Sequence, residues 1–203
     1  MSSFGAVAAR SCASHEGLAL ALAADLGCDT AGAPDAVRRL AAALPRDPDP
    51  RAALEAVSDL CRHTLTVRAG GALLLPEVLR RGGGDPSGVA VVAAVAAQEA
   101  GYAVGLIGGH GRLLVAHHTS DEPLVVDPTE GLIDAHTLGF ELHWRCAHES
   151  AADILERTGE QAERHGDLAL ATAARALALQ LPLEDASRAT AQAHHRRLLS
   201  RLN

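Results

Sequence analysis

The run at residues 85–101, DPSGVAVVAAVAAQEAG, constrains the fold more than any other part of the chain. Asp85 is suited to cap a helix, and Pro86 fits the first helical position, where a missing N–H costs nothing. Gly101 stands just past the far end, where a left-handed residue terminates a helix. Between them VAVVAAVAA is apolar on nearly every face, and a helix apolar all round has to be buried. The spacing therefore predicts a central helix on which the remaining elements pack.

Upstream, the first 70 residues read as all-helical. Residues 17–26 are apolar with Gly27 as a stop, 34–44 lie between two prolines, and 50–65 follow a PRDPDP loop. A short helix is expected over 74–81, ending in the triple glycine Gly82–Gly84. Downstream the period changes. Residues 102–107, 112–117 and 123–126 are short β-prone runs separated by Gly-rich or Thr-Ser-Asp turns, an antiparallel meander. Helix returns from about Ser150, with an αα-hairpin over 150–165 and 167–181 turning at Gly166-Asp167, then a more polar helix over 183–202. The run GDLALATAARALALQLP is similar to the second helix of a tetratricopeptide unit, but no second copy follows at about 34 residues, so no array is expected.

Apolar residues make up 48% of the 203 and only four are Phe, Tyr or Trp, so the core is built from Ala, Leu and Val. Net charge is −7 and no Lys/Arg run exceeds two residues, which argues against a nucleic-acid partner. The longest apolar run, residues 89–97, is about half of what a membrane span requires. The N-terminus has no charged segment leading into an apolar block, and the expected location is the cytoplasm. Cys12, Cys28, Cys61 and Cys146 are widely spaced and read as separate thiols rather than a disulfide set. The first three sit in apolar helical surroundings, where cysteine behaves as a small hydrophobe.

A histidine-rich stretch follows the meander. His117, His118, His136, His143, Cys146 and His148 lie within 32 positions. His143-x-x-Cys146-x-His148, with His117 or His118, offers a donor set for zinc or iron and hence a metal-dependent hydrolase. The competing reading is a polar loop of solvated histidines, anchored to the core by Trp144 and Cys146. His194-His195 beside Arg196-Arg197 reads as a solvent face.

Residues 76–131, followed by the hairpin, resemble the SirB-type transglutaminase-like proteins. The family's core runs R-R-G-x-P-x-S-L, an apolar helix ending in Gly, G-H before a strand, then D-P and glycines. Here those elements are Arg80-Arg81-Gly82, Pro86-Ser87, Gly101, Gly109-His110 and Asp127-Pro128-Thr129-Glu130-Gly131. The helical N-terminal third and ILERTGEQAERHGD before the hairpin fit the same layout. The resemblance implies an α+β fold: a transglutaminase/papain-like core with a buried central helix and small antiparallel sheet, flanked by N-terminal helices. It places residues 1–148 in that domain and 149–203 in a TPR-like helical tail packed on it.

The resemblance also implies a site, with His110 as general base, Asp127 hydrogen-bonded to orient it, and Ser87 or an incoming substrate group as nucleophile. Unpaired amides at the start of the 86–100 helix would serve as an oxyanion site. Ser87 departs from the pattern: it falls one residue early, a rotation of about 100° on a helix. The transglutaminase cysteine would align with Pro86, which cannot be a nucleophile. The plain alternative is that Ser87 caps its own helix, His110 is a turn residue and Asp127 begins a DPT turn. Cys146 is a further candidate for a relocated nucleophile. The expected function is acyl transfer or hydrolysis at a γ-glutamyl or peptide-type amide, without an organic cofactor. Against it stands a pseudoenzyme that binds a small ligand, or a protein through the C-terminal hairpin.

Overall fold

The computed structural model describes residues 4–11, 13–46, 48–182 and 185–202; Cys12 and the expected start of the last helix, at 183–184, lie outside them. Among the described residues the fold is α+β, with nine α-helices, a five-stranded antiparallel sheet and a small parallel strand pair. None of these helices is long and apolar enough to cross a membrane. The chain divides into two compact units, Met1–Asp29 with Ala147–Asn203, and Thr30–Cys146. The helices before residue 30 belong with the C-terminal helices, and those that follow belong with the sheet.

The first unit opens with α1 (Phe4–Ala8) and α2 (His15–Asp25). Ser14 caps α2, its hydroxyl oxygen accepting from the Gly17 amide. The second unit begins with α3 (Ala33–Ala42) and α4 (Pro50–Asp59), which runs into a π-turn at Leu60–Thr64. There follow β1 (Thr66–Val67), α5 (Leu75–Arg81), β2 (Gly83–Gly84) and α6 (Pro86–Glu99). β1 and β2 pair in parallel. The sequence assigns the triple glycine to a helix stop, but only Gly82 plays that part, at φ +66°. Gly83 and Gly84 form a strand because their backbones approach others too closely for a side chain: a Cβ on Gly83 would overlap the Thr66 carbonyl oxygen.

α6 is the expected central helix, with every residue from Ser87 to Ala97 buried. It lies against β3 (Val104–Gly109) and β4 (Arg112–His117) as well as α3 and α5. With β5 (Leu124–Asp127), β6 (Gly131–Asp134) and β7 (His143–Arg145) these strands form an antiparallel sheet in the order β6-β5-β4-β3-β7. Leu106, Val115 and Val126 lie opposite one another on one face, and α4 and α6 pack on the sheet. Leu114, Ala116 and Val125 point to the other face, where Ile133, Ala135, Leu138 and Leu142 cover them. β6 and β7 extend the three-stranded meander expected from the sequence.

The chain then returns to the first unit with α7 (Ala147–Arg164), α8 (Leu168–Ala178) and α9 (Asp185–Leu202). The hairpin turns where expected: Gly166 adopts φ +78°, and the Asp167 carboxylate accepts from the Leu170 amide at 2.9 Å to cap α8. α7 packs on both α8 and α2, and α8 on α9, with Ala162, Ala171 and Leu198 forming a small core.

Candidate functional site

Each residue of the expected triad is held by local structure that explains its conformation. Ser87 occupies the first turn of α6 and is 1% exposed. Its amide donates to Asp85 Oδ1 at 3.1 Å, while Asp85 Oδ2 accepts from the Gly70 amide at 3.0 Å. Pro86 has no N–H. Around Gly88 the chain is equally tight, since a Cβ there would meet the Ala72 and Leu73 carbonyl oxygens at 2.8 and 2.9 Å. At the expected oxyanion site, the Asp85 carboxylate takes the Ser87 amide, the first donor of the helix, and carbonyls crowd Gly88.

His110 is exposed and forms, with Gly111, the two-residue connection between β3 and β4. Both have positive φ, +48° and +73°, as a type I′ hairpin turn demands. Histidine is among the few residue types enriched in that region. Its ring lies 5.0 Å from that of Phe140.

Asp127 is 3% exposed. Its Oδ1 accepts from the Thr129 and Glu130 amides at 2.7 and 3.1 Å, closing the DPT turn. Its Oδ2 takes the Arg112 guanidinium, and the same Arg112 nitrogen reaches Glu130 at 2.9 Å. Hydrogen bonding to Asp127 is the main reason the Arg112 guanidinium titrates above its ordinary value. The His110–Asp127 bond expected from the resemblance is thus replaced by Arg112–Asp127. The cause is strand parity: the pairs Ala116↔Val125 and Val115↔Val126 put Arg112 and Asp127 on the same face of neighbouring strands, whereas His110 stands beyond the strand in the turn. Sequence reasoning passed over Arg112; the signal was its parity with Leu114 and Ala116.

Neither Cys61 nor Cys146 supplies the missing nucleophile. Cys61 lies in the π-turn, fully buried, and its thiol is pushed up to about 12, first by burial and then by the negative charge of Asp127. A thiol in that state is protonated and inert. Cys146 is exposed one residue beyond β7. β7 runs antiparallel to β3 with Arg145 opposite Leu106, so Cys146 continues toward Gly105 and away from His110. Five residues of strand, about 16 Å, separate those positions.

The candidate metal ligands are dispersed, and among the described residues no group of three or more His, Cys, Asp or Glu is placed to hold an ion. His143 faces Glu141 at 3.8 Å. His148 Nε2 lies 3.0 Å from the Ala8 carbonyl oxygen, to which it donates. His117 Nδ1 accepts from the Thr119 amide, and burial, with His118 second, lowers its pKa. Trp144 and Cys146, expected to reach the core, are both exposed. Trp144 is 46% exposed on edge strand β7 and stacks on His118, the ring centroids 4.3 Å apart. Gly105 makes room for that pair, because a Cβ there would lie 2.8 Å from the His118 ring.

In comparisons with known proteins, no family model, curated protein or solved structure matched this chain. The resemblance to the SirB-type proteins stands on the sequence elements quoted for it.

Proposed function

We propose that this chain is a transglutaminase-like protein whose triad position no longer performs acyl transfer, and that it acts as a binding module. The observation that carries this reading is the engagement of Asp127 by Arg112 and two turn amides. An orienting carboxylate has to hold the imidazole of the base; here that carboxylate is occupied by a cation that does not exchange protons near neutral pH. Buried Ser87 and the protonated Cys61 thiol support the same conclusion. The likeness to the family's transglutaminase/papain-like core rests on sequence order alone.

For the binding surface we favour β7. It is a sheet edge, the place where an extended peptide adds a strand, and it displays the chain's single tryptophan. The α7–α8 hairpin, the surface implied by the resemblance, commits much of its apolar side to packing within its own unit.

The test is turnover of a γ-glutaminyl peptide amide with hydroxylamine as acceptor, for the wild type and His110→Ala. No product from either protein is the expected result. Hydroxamate formed by the wild type and lost in the variant would return the protein to the enzymes. Peptides selected on the intact protein should then shift Trp144 fluorescence and lose affinity in Trp144→Ala; unchanged affinity removes β7 from the reading.

A further inference from the structure

We propose that the strand added at β7 comes from a second copy of this chain, the sheets of the two copies joining edge to edge about a two-fold axis at Leu142. The inference rests on β7 being the binding edge and names its occupant. Residues 140–144, FELHW, run beside the end of β3 and into β7. Gly109 has no room for a side chain there, because the Glu141 carbonyl and the Phe140 ring lie against it. β7 is the last strand on its side of the sheet. Side chains on both faces of this edge reach solvent. Glu141 and His143 do so on one face, at 83% and 63% exposure, and Trp144, opposite Ile107, on the other.

Symmetry limits the register. Residues opposite one another in an antiparallel pair point to the same face, and the two-fold keeps every side chain on its own face. Only residues of like parity can therefore meet, and the axis must pass through a residue. With the axis at Leu142 the segment is chemically palindromic. Glu141 meets the partner's His143, Phe140 meets the partner's Trp144, and Leu142 meets its own copy. The first two pairs each occur twice. Within one chain Glu141 and His143 are 3.8 Å apart, too far for a hydrogen bond, so both can bond across the axis. An imidazole N–H donates to a carboxylate whether or not the ring is charged. The aromatic and leucine pairs fall on the face where Leu142 already packs with Ile107 and Leu138, and they extend that apolar cluster into the second copy. The neighbouring registers fit less well. An axis at Trp144 sets His143 against Arg145, both basic. An axis at His143 sets imidazole on imidazole and pairs Glu141 with Arg145, whose Nε is buried against Gly108.

The test is sedimentation of the full chain from micromolar to millimolar concentration, since so short an edge makes a transient dimer. A monomer–dimer equilibrium is expected. Glu141→Lys puts a cation opposite each His143 and should weaken association by about tenfold, because the two-fold applies the change twice. Adding His143→Glu restores the opposite charges and should restore the dimer. Register is read by oxidative crosslinking. Leu142→Cys brings two thiols together at the axis, within disulfide reach, and should crosslink beyond the wild-type level. His143→Cys and Trp144→Cys lie off the axis and should not. A chain monomeric at every concentration overturns the proposal. So does a dimer indifferent to Glu141→Lys, or one that crosslinks through position 143 or 144 in place of 142. If the chain is monomeric while selected peptides still shift Trp144 fluorescence, self-pairing alone falls; loss of both removes β7 as the binding edge.

Discussion

Arg112 and Asp127 form a cross-strand ion pair in which the carboxylate is almost wholly buried and the guanidinium side chain is 34% exposed. Glu130 braces the arginine from the solvent side at 2.9 Å. Removing one member of such a pair leaves a buried charge without compensation, whereas removing both does not. Arg112→Ala should cost about 2–3 kcal/mol, less than a fully buried pair because water reaches the guanidinium. Arg112→Ala/Asp127→Asn should be more stable than the sum of the single losses, since the amide oxygen introduced in place of the carboxylate can still accept from the turn amides. Urea denaturation of the four proteins measures the coupling, and strictly additive losses would mean that the pair does not act as a unit.

His110 owes its conformation to the turn. Alanine at positive φ costs about 1 kcal/mol or more, while glycine and asparagine tolerate it. His110→Ala should therefore lower stability by about that amount, and His110→Gly or His110→Asn should stay within about 0.5 kcal/mol of wild type. Equal losses in all three would assign the histidine a side-chain role that the turn does not explain.

What the sequence disclosed was local. Asp85, Pro86 and Gly101 mark α6, and Gly166-Asp167 marks the hairpin, because caps act through bonds between near neighbours. The long-range features were hidden. β2 consists of two glycines, which carry neither β propensity nor alternation, and only the approach to Thr66 shows why they must be glycines. β7 is three residues of an edge strand, too short for a period-2 pattern. The partner of Asp127 depends on register between strands, and a one-residue slip exchanges faces. The order of motifs therefore pointed to His110, while the pleat selected Arg112.

The dispersed histidines predict a protein that does not depend on metal. Purified without an affinity tag and dialysed against chelator, it should contain no stoichiometric zinc or iron and keep its melting temperature. A chelator-induced drop, reversed by one equivalent of zinc, would show that the ligands converge in a way the described residues do not.

Gly83 separates a glycine required by space from one required by conformation. A Cβ at this position would overlap the Thr66 carbonyl oxygen and lie 2.7 Å from the Thr66 nitrogen. Backbone cannot yield as a flexible side chain does, so Gly83→Ala should break the β1–β2 pair and cost about 3 kcal/mol or more. Neighbouring Gly82 has φ +66° with nothing within 4 Å of the added atom. Asparagine tolerates that conformation, and Gly82→Asn should cost under about 1 kcal/mol. Comparable melting of the two variants would contradict the pairing of β1 with β2.

Cys61 sets the sign of the alkaline response. Its thiol moves from the ordinary 9.0 to about 12 in the folded protein. Between those values the unfolded chain loses a proton that the folded one keeps. The stabilisation is complete below pH 9 and declines as pH rises toward 12, by at most about 1.4 kcal/mol per pH unit. Tyr102, raised by burial and donating to the Pro45 carbonyl at 2.7 Å, adds to the same decline at higher pH. Cys61→Ala loses packing at neutral pH, so the informative quantity is the slope and not the absolute stability. From pH 9 to roughly 10.5 its unfolding free energy should fall less steeply than that of the wild type, while Tyr102→Phe keeps the early part of the slope. Identical slopes for wild type and Cys61→Ala would mean that the thiol ionises in the folded state, and the same outcome would reopen Cys61, beside Asp127, as a nucleophile.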